Sequence, residues 1–254
     1  GTKNSLKKMT RRKMMQAYRK YYQPENLVVS VSGNVSHASV LEAVKPLKRM
    51  KRKKPARPAP PHHPPHVKRG RWWEVENAEQ VHLIFGVPSM RTKSPERFAL
   101  GLLNVYLGGG MSSLLFQEIR EKRGLAYNVY SYVFPFLDSG VFTIYVGTSP
   151  NRVMKCLDVI EETLRNFIQD PLKESELKEM KNNLKGNVLL VADDLESRML
   201  SLGRNELFTG HYLSPEGICK AIDQVTVIDL KRVARRLFAK TVKRSVLVLG
   251  PRHK

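Results

Sequence analysis

Hydrophobic and polar positions run along this chain in two rhythms, and the places where one gives way to the other mark its elements. Apolar residues three and four apart at Met14, Ala17, Tyr18 and Tyr21, opened by Thr10 and ended by Pro24, predict a helix. Residues 27–33 then predict a strand, and Ser36 or His37 opens a helix with Val40, Leu41, Val44 and Leu47 inward. Residues 81–87 form another strand, with His82 on its half-exposed face. Ser94-Pro95-Glu96 starts a helix carrying Phe98, Leu102, Val105 and Tyr106. A strand through Phe134 turns at Leu137-Asp138-Ser139-Gly140 into a second at 141–146, an antiparallel hairpin. Ser149-Pro150 opens a long helix with Val153, Leu157, Ile160, Leu164, Phe167 and Ile168, broken at Pro171. Residues 174–207 are helical again, with a bend expected near Gly186 and relief at Gly203. Ser214-Pro215-Glu216 begins a short helix. Thr226-x-x-Asp229 begins the last one, bearing Leu230, Val233, Leu237 and Phe238, before a strand at 245–250.

Composition adds a boundary to this pattern. A hydrophobic content of 41% over 254 residues suffices for a buried core. The formal charge of +21 is local: residues 1–71 hold 19 of the 44 Lys and Arg but only two of the 23 acids. Within that front, residues 48–71 are rich in Lys, Arg, His and Pro, and six prolines from Pro55 to Pro65 exclude regular structure. The expected organisation is therefore a first piece at 1–47, a basic linker at 48–71, and a unit at 72–254 that begins with Trp72, Trp73 and Val75. A basic run can attract nucleic acid or an anionic surface, but this one lacks the interleaved aromatics that stack on bases, which favours a solvated linker. His62, His63 and His66 are separated by Pro64 and Pro65 and have no carboxylate nearby, a poor arrangement for a metal. Cys156 and Cys219 lie far apart in helical patterns and read as buried free thiols. No apolar run approaches the roughly 18 residues of a membrane helix, so no span is expected.

One stretch carries candidate chemistry. Gly108, Gly109 and Gly110 provide a backbone able to take positive φ, and Ser112 or Ser113 follows as a helix cap. The helix buries Leu115 and Ile119 and closes with Lys122 and Arg123 before Gly124. Strand alternation then sets Tyr127, Val129, Ser131 and Val133 against Asn128, Tyr130, Tyr132 and Phe134. The reversal at Gly124 is expected to bring the Arg120 guanidinium and the Tyr127 phenol to one place.

The small-residue run before Ser-Ser-Leu-Leu, the Leu-Ala-Tyr after the helix, and Arg120 and Tyr127 seven positions apart resemble the second-half signature of the pitrilysin/insulinase zinc peptidases. That family includes the mitochondrial processing peptidases. The resemblance implies an α+β fold, an antiparallel sheet covered by helices as in processing-peptidase-like metallohydrolases. It also implies that Arg120 and Tyr127 hold the substrate and its developing oxyanion, facing a zinc carried by another half. Gly108, Gly109, Gly110 and Ser112 are similar to the glycine-rich substrate-binding loop of a non-catalytic processing-peptidase subunit.

The front of the chain repeats its end. Thr10, Met14, Ala17, Tyr21, Tyr22, Val29, Val31 and Gly33 answer Thr226, Leu230, Val233, Leu237, Phe238, Val246, Val248 and Gly250, at an offset of 216 that becomes 217. Residues 1–47 are thus expected to be the C-terminal remnant of a first family domain, and 72–254 a complete second one. The family's zinc motif, His-x-x-Glu-His, occurs around none of the seven histidines. The expected function is the C-terminal half of a zinc endopeptidase acting on unfolded peptides or small polypeptides, inactive alone and completed by a zinc-bearing first domain or homologous subunit. The alternatives are a non-catalytic scaffold or assembly subunit of the same fold, and an anionic-surface or nucleic-acid binder using the basic front.

Overall fold

The computed structural model describes residues 1–49, 67–169 and 172–251. Most of the basic linker, with His62, His63 and His66, lies outside them, as does Pro171. The elements in order are α1 (Lys3–Lys7), α2 (Arg11–Tyr21), α3 (His37–Ala43), β1 (Gly70–Glu74), β2 (Val81–Pro88) and α4 (Arg97–Gly108). Then come α5 (Leu114–Phe116), running on as a π-helical turn at Gln117–Glu121, β3 (Ala126–Pro135), β4 (Gly140–Thr148), α6 (Val153–Gln169) and α7 (Glu174–Asp193). The chain continues through α8 (Leu195–Phe208), α9 (Pro215–Asp223), α10 (Val227–Phe238) and β5 (Ser245–Leu249). They divide into two compact units, Gly1–His62 with Val191–Tyr212, and His63–Leu190 with Leu213–Lys254.

The larger unit is a five-stranded sheet in the order β1-β5-β2-β4-β3, with helices packed on one face. Alternation explains that face. Val81, Leu83, Phe85 and Val87 of β2 point into the core beside Phe142, Ile144 and Val146 of β4 and Val246 and Val248 of β5. Leu157, Ile160 and Leu164 of α6 and Leu230, Val233, Leu237 and Phe238 of α10 close over them, and Phe142 meets Phe238 edge-on at 5.3 Å. Each such buried side chain contributes about 1.5–3 kcal/mol. The sheet is antiparallel except at β1, which joins β5 in parallel. The connection from Glu74 to Val81 steps over one strand slot, and β5 fills it.

Two helix boundaries differ from expectation. α4 starts at Arg97, not at Ser94-Pro95-Glu96: Ser94 Oγ accepts from Glu96 N, while the Glu96 carboxylate turns away to Arg232 Nε (2.9 Å) and Arg236 Nη1 (2.8 Å) of α10. Its buried face is also broader than the expected stripe, taking in Ala99, Leu100, Leu103 and Leu107, because the helix packs against both β3 and α10. The long helix after 174 breaks at Asp194, not at either glycine. The Asp194 carboxylate accepts from Ser197 N at 2.7 Å and so starts α8 afresh.

In the smaller unit, Thr10 accepts from Lys13 N as the cap of α2 and Ser36 caps α3. Gly33 (φ 149°) repeats the left-handed conformation of Gly250 (φ 143°). The strand expected at 27–33 does not form. Residues 27–32 find no strand to pair with among the described residues, and a lone strand leaves its amides and carbonyls without a ladder. The apolar stripe of α2 is exposed as well, Met14 at 61% and Tyr21 at 56%, where the matching residues of α10 are buried.

Candidate functional site

In the glycine-rich stretch, Gly108 is placed by packing. None of Gly108, Gly109 and Gly110 takes positive φ, contrary to expectation; Gly124 does, at 58°. Gly108 ends α4 against β3, where an added Cβ would lie 2.4 Å from Ser131 N. Absence of a side chain there lets helix and strand approach closely, and Ser131 Oγ donates to Asn104 Oδ1 at 2.8 Å across the same contact. Neither serine caps α5 through its side chain. Ser112 is exposed, and Ser113 stands at the N-cap with extended backbone while its hydroxyl is buried without a partner. The loop is fastened instead by Gln117 Nε2, which donates to Met111 O at 2.8 Å.

The turn at Gly124 brings Arg120 and Tyr127 together, through the main chain. Arg120 Nη1 donates to Tyr127 O at 2.7 Å, and its guanidinium lies 4.9 Å over the Phe116 ring. One of its five N–H donors is thereby spent. Tyr127 departs from the expected phase. Ala126 pairs with Thr148 and Asn128 with Gly147, so Tyr127 is the extra residue of a β-bulge, with no partner opposite. The alternation that would have buried its ring beside Val129 and Ser131 is broken, and the phenol projects outward, 70% exposed. Behind Arg120, Glu118 is held by Lys122 Nζ at 2.5 Å and by Arg123, and these two hydrogen bonds keep its carboxyl below the usual range against a smaller opposing effect of burial. Glu118 also walls two grooves of about 400 Å³ each, one reaching Ser112, Ser113 and Asn183, the other Phe167 and Glu162; neither Arg120 nor Tyr127 lines them.

The sheet face away from the helices is half-exposed and aromatic, which the alternation signalled only in part. Register sets Trp72, Leu247, Ile84, Tyr145 and Tyr130 in one row across all five strands. Tyr130 and Tyr145 stack at 4.5 Å, and His82 Nδ1 lies 2.7 Å from the Tyr145 hydroxyl. Burial pushes both phenols above their ordinary range. His82 thus sits on the open face, as alternation placed it.

Cys156 is buried and Cys219 partly so, both as free thiols. Among the described residues no group of three or more His, Cys, Asp or Glu is arranged to hold a metal, so the donor set a catalytic zinc needs is not found there. No helix among them is long and apolar enough to cross a membrane. What the site offers is an exposed guanidinium and an exposed phenol on one short turn. These are hydrogen-bond donors, suited to holding a peptide or stabilising developing negative charge.

Residues 8–184 match the family described as the peptidase M16 inactive domain, and the chain belongs to it. It is 36% identical over 260 residues to an uncharacterised zinc protease of Streptomyces coelicolor, covering 99% of this chain and 56% of that one. A zinc protease of Bacillus subtilis is 33% identical over 238 residues, 94% of this chain and 58% of that one. The chain thus spans a little over half the length of these relatives. Among solved structures, the peptidase M16 inactive domain of Pseudomonas fluorescens has a TM-score of 0.89 at 22% identity, covering all of this chain and 60% of that one. A chain of complex III2 from Candida albicans has 0.85 at 16% identity, covering 98% and 61%. Both share the fold expected from the sequence.

Proposed function

We propose that this chain is the non-zinc portion of a zinc endopeptidase, in which Arg120 and Tyr127 hold a peptide substrate and its oxyanion opposite a metal borne by another half. The observation that carries the reading is the bulge that turns the Tyr127 phenol outward while the Arg120 guanidinium is fastened to the Tyr127 carbonyl, in a chain whose described residues contain no metal site. Water activation lies outside this chain. Its own part is to donate hydrogen bonds from Tyr127 Oη and from Arg120, whose Nε also faces the Glu121 carboxylate at 3.8 Å, to substrate carbonyl oxygens, an arrangement that acts most strongly on charge developing in the transition state. The partner is a zinc-bearing first domain or homologous subunit, supported by the greater length of the relatives and by the repeat of the chain's end at its front. An unfolded peptide suits the aromatic row on the open sheet face, which can take apolar side chains without a charged competitor in that row.

In the completed enzyme, Arg120→Ala or Tyr127→Phe is expected to lower turnover by about 10²-fold with zinc content unchanged. Wild-type turnover in both would refute the assignment. A second reading, a non-catalytic assembly subunit, is favoured by the likeness in fold to a chain of complex III2. Recovery of this chain with a stoichiometric partner or upstream segment that carries His-x-x-Glu-His decides for the peptidase; recovery without one decides for the assembly subunit.

A further inference from the structure

The four residues that carry the pair's geometry, Gly124 to Tyr127, are tied by side chains from three directions. Arg120 holds Tyr127 O. Arg152, on the short turn between β4 and α6, donates from Nη1 to Gly124 O at 2.6 Å. Thr148, the last residue of β4 and fully buried, donates from Oγ1 to Leu125 O at 2.6 Å. The Cys156 thiol, in the first turns of α6, lies 3.8 Å from the same carbonyl and 3.7 Å from the Thr148 hydroxyl. Main-chain bonds complete the enclosure, from Gly124 N to Arg120 O and from Leu125 N to Ile119 O, both at 2.9 Å.

These ties go beyond ordinary satisfaction of buried groups. Thr148 stands opposite Ala126 in the ladder, immediately before the register slips. A bulge is a point where one strand has slack, and slack lets an exposed ring sweep a wide arc. Here Thr148 fixes the carbonyl two residues before Tyr127, and Arg152 fixes the one before that. Arg120, fastened to the other end of the bulge, moves with it. Guanidinium and phenol are therefore presented as one rigid unit.

We propose that Thr148 and Arg152 are positioning residues for the Arg120–Tyr127 pair, an inference that rests on the peptidase reading above. The test uses the completed peptidase. Thr148→Val keeps shape but removes the hydroxyl, Thr148→Ser keeps the hydroxyl, and Arg152→Ala alters an exposed side chain outside the core. Thr148→Val and Arg152→Ala are expected to lower kcat about tenfold or more with KM within about twofold, since displacement by roughly an ångström suffices for such a loss. Thr148→Ser is expected to stay within about threefold of wild type. Amide hydrogen exchange at residues 125–128 should accelerate in the first two variants and not in the third.

Thr148→Ser as impaired as Thr148→Val would overturn the proposal, because keeping the hydroxyl would then protect nothing. Faster exchange with wild-type kcat would overturn it too, showing that the turn can loosen without consequence for the pair. Wild-type turnover in Arg120→Ala and Tyr127→Phe is a separate result; it removes the parent reading, and this one with it, whatever the exchange data show.

Discussion

Replacing Gly108 with alanine tests whether the glycine run serves packing or substrate. The new methyl would stand 2.4 Å from Ser131 N, 2.6 Å from its Oγ and 2.8 Å from its Cβ. Ordinary contact needs about 3.5 Å, so helix or strand must retreat by about 1 Å. Overpacking of this kind costs about 1–3 kcal/mol, and the upper end applies because the nearest atom is backbone, pinned in the β3–β4 ladder. Alanine recovers about 1 kcal/mol as a better helix residue than glycine. The net expectation is a loss of about 2 kcal/mol, a fall in Tm of about 4–8 °C for a unit of this size. Fluorescence of Trp72 and Trp73, the only two tryptophans and both on β1, follows unfolding of the sheet unit directly. Gly110→Ala is the control: nothing lies within 4 Å of its added Cβ and its φ is not left-handed, so its stability should stay within about 0.5 kcal/mol of wild type. Equal Tm in Gly108→Ala and wild type, or equal falls in both variants, would refute the packing account.

The capping box of α10, in which Thr226 and Asp229 satisfy each other's amides, predicts that Thr226→Ala costs about 1 kcal/mol by the same fluorescence assay. Thr10→Ala should leave that transition unmoved, because α2 belongs to the other unit and its stripe is exposed. Glu118 and Asp229 both have carboxyls lowered in the folded chain, Glu118 chiefly by its hydrogen bond from Lys122 and Asp229 chiefly by that from Thr226. Their stabilising contribution is complete above the unfolded carboxylate range and is lost as pH falls through the lowered native values. Thermal melts should therefore be flat from pH 7 to about 5 and decline below, with the gap between Glu118→Gln and wild type closing as acid removes the charge. A gap that persists at pH 2 would assign Glu118's effect to packing.

Most of the sheet unit was legible because each boundary had its own chemical signal. Thr226 with Asp229, Ser214 with Pro215, and Gly124 after Arg123 all act locally, and the structure uses each as the sequence suggests. What escaped depends on partners distant in sequence. Whether residues 27–33 form a strand is decided by a neighbouring strand, not by Val28, Val29 and Val31. The Glu96 side chain at the start of α4 is engaged by Arg232 and Arg236, more than 130 positions away. The bulge at Tyr127 hides in a run whose alternation looks unbroken, since its cause is register with β4. So the sequence showed that Arg120 and Tyr127 converge, but not that they meet through a carbonyl, nor that the ring faces outward. Positive φ is what the glycine run suggests, and it is not taken there; Gly108 serves a close approach instead, and only the fold reveals that Ser131 is what approaches.

The position of β5 has a consequence for how the unit is made. It is the last strand along the chain, yet it lies between β1 and β2, and the Trp73 indole donates to Gly250 across 177 positions of sequence. On a ribosome, β1 emerges before β5, and the slot between β1 and β2 stands empty until β5 follows. Until β5 is released, one edge of β2 lacks its partner strand, so the nascent sheet presents an open edge. Closure of the sheet therefore waits on β5: a product stopped short of Ser245 retains hairpin β3–β4 but cannot join β1 to it. Such a truncated product would be marked for quality control by an unpaired strand edge rather than by any damage to the site.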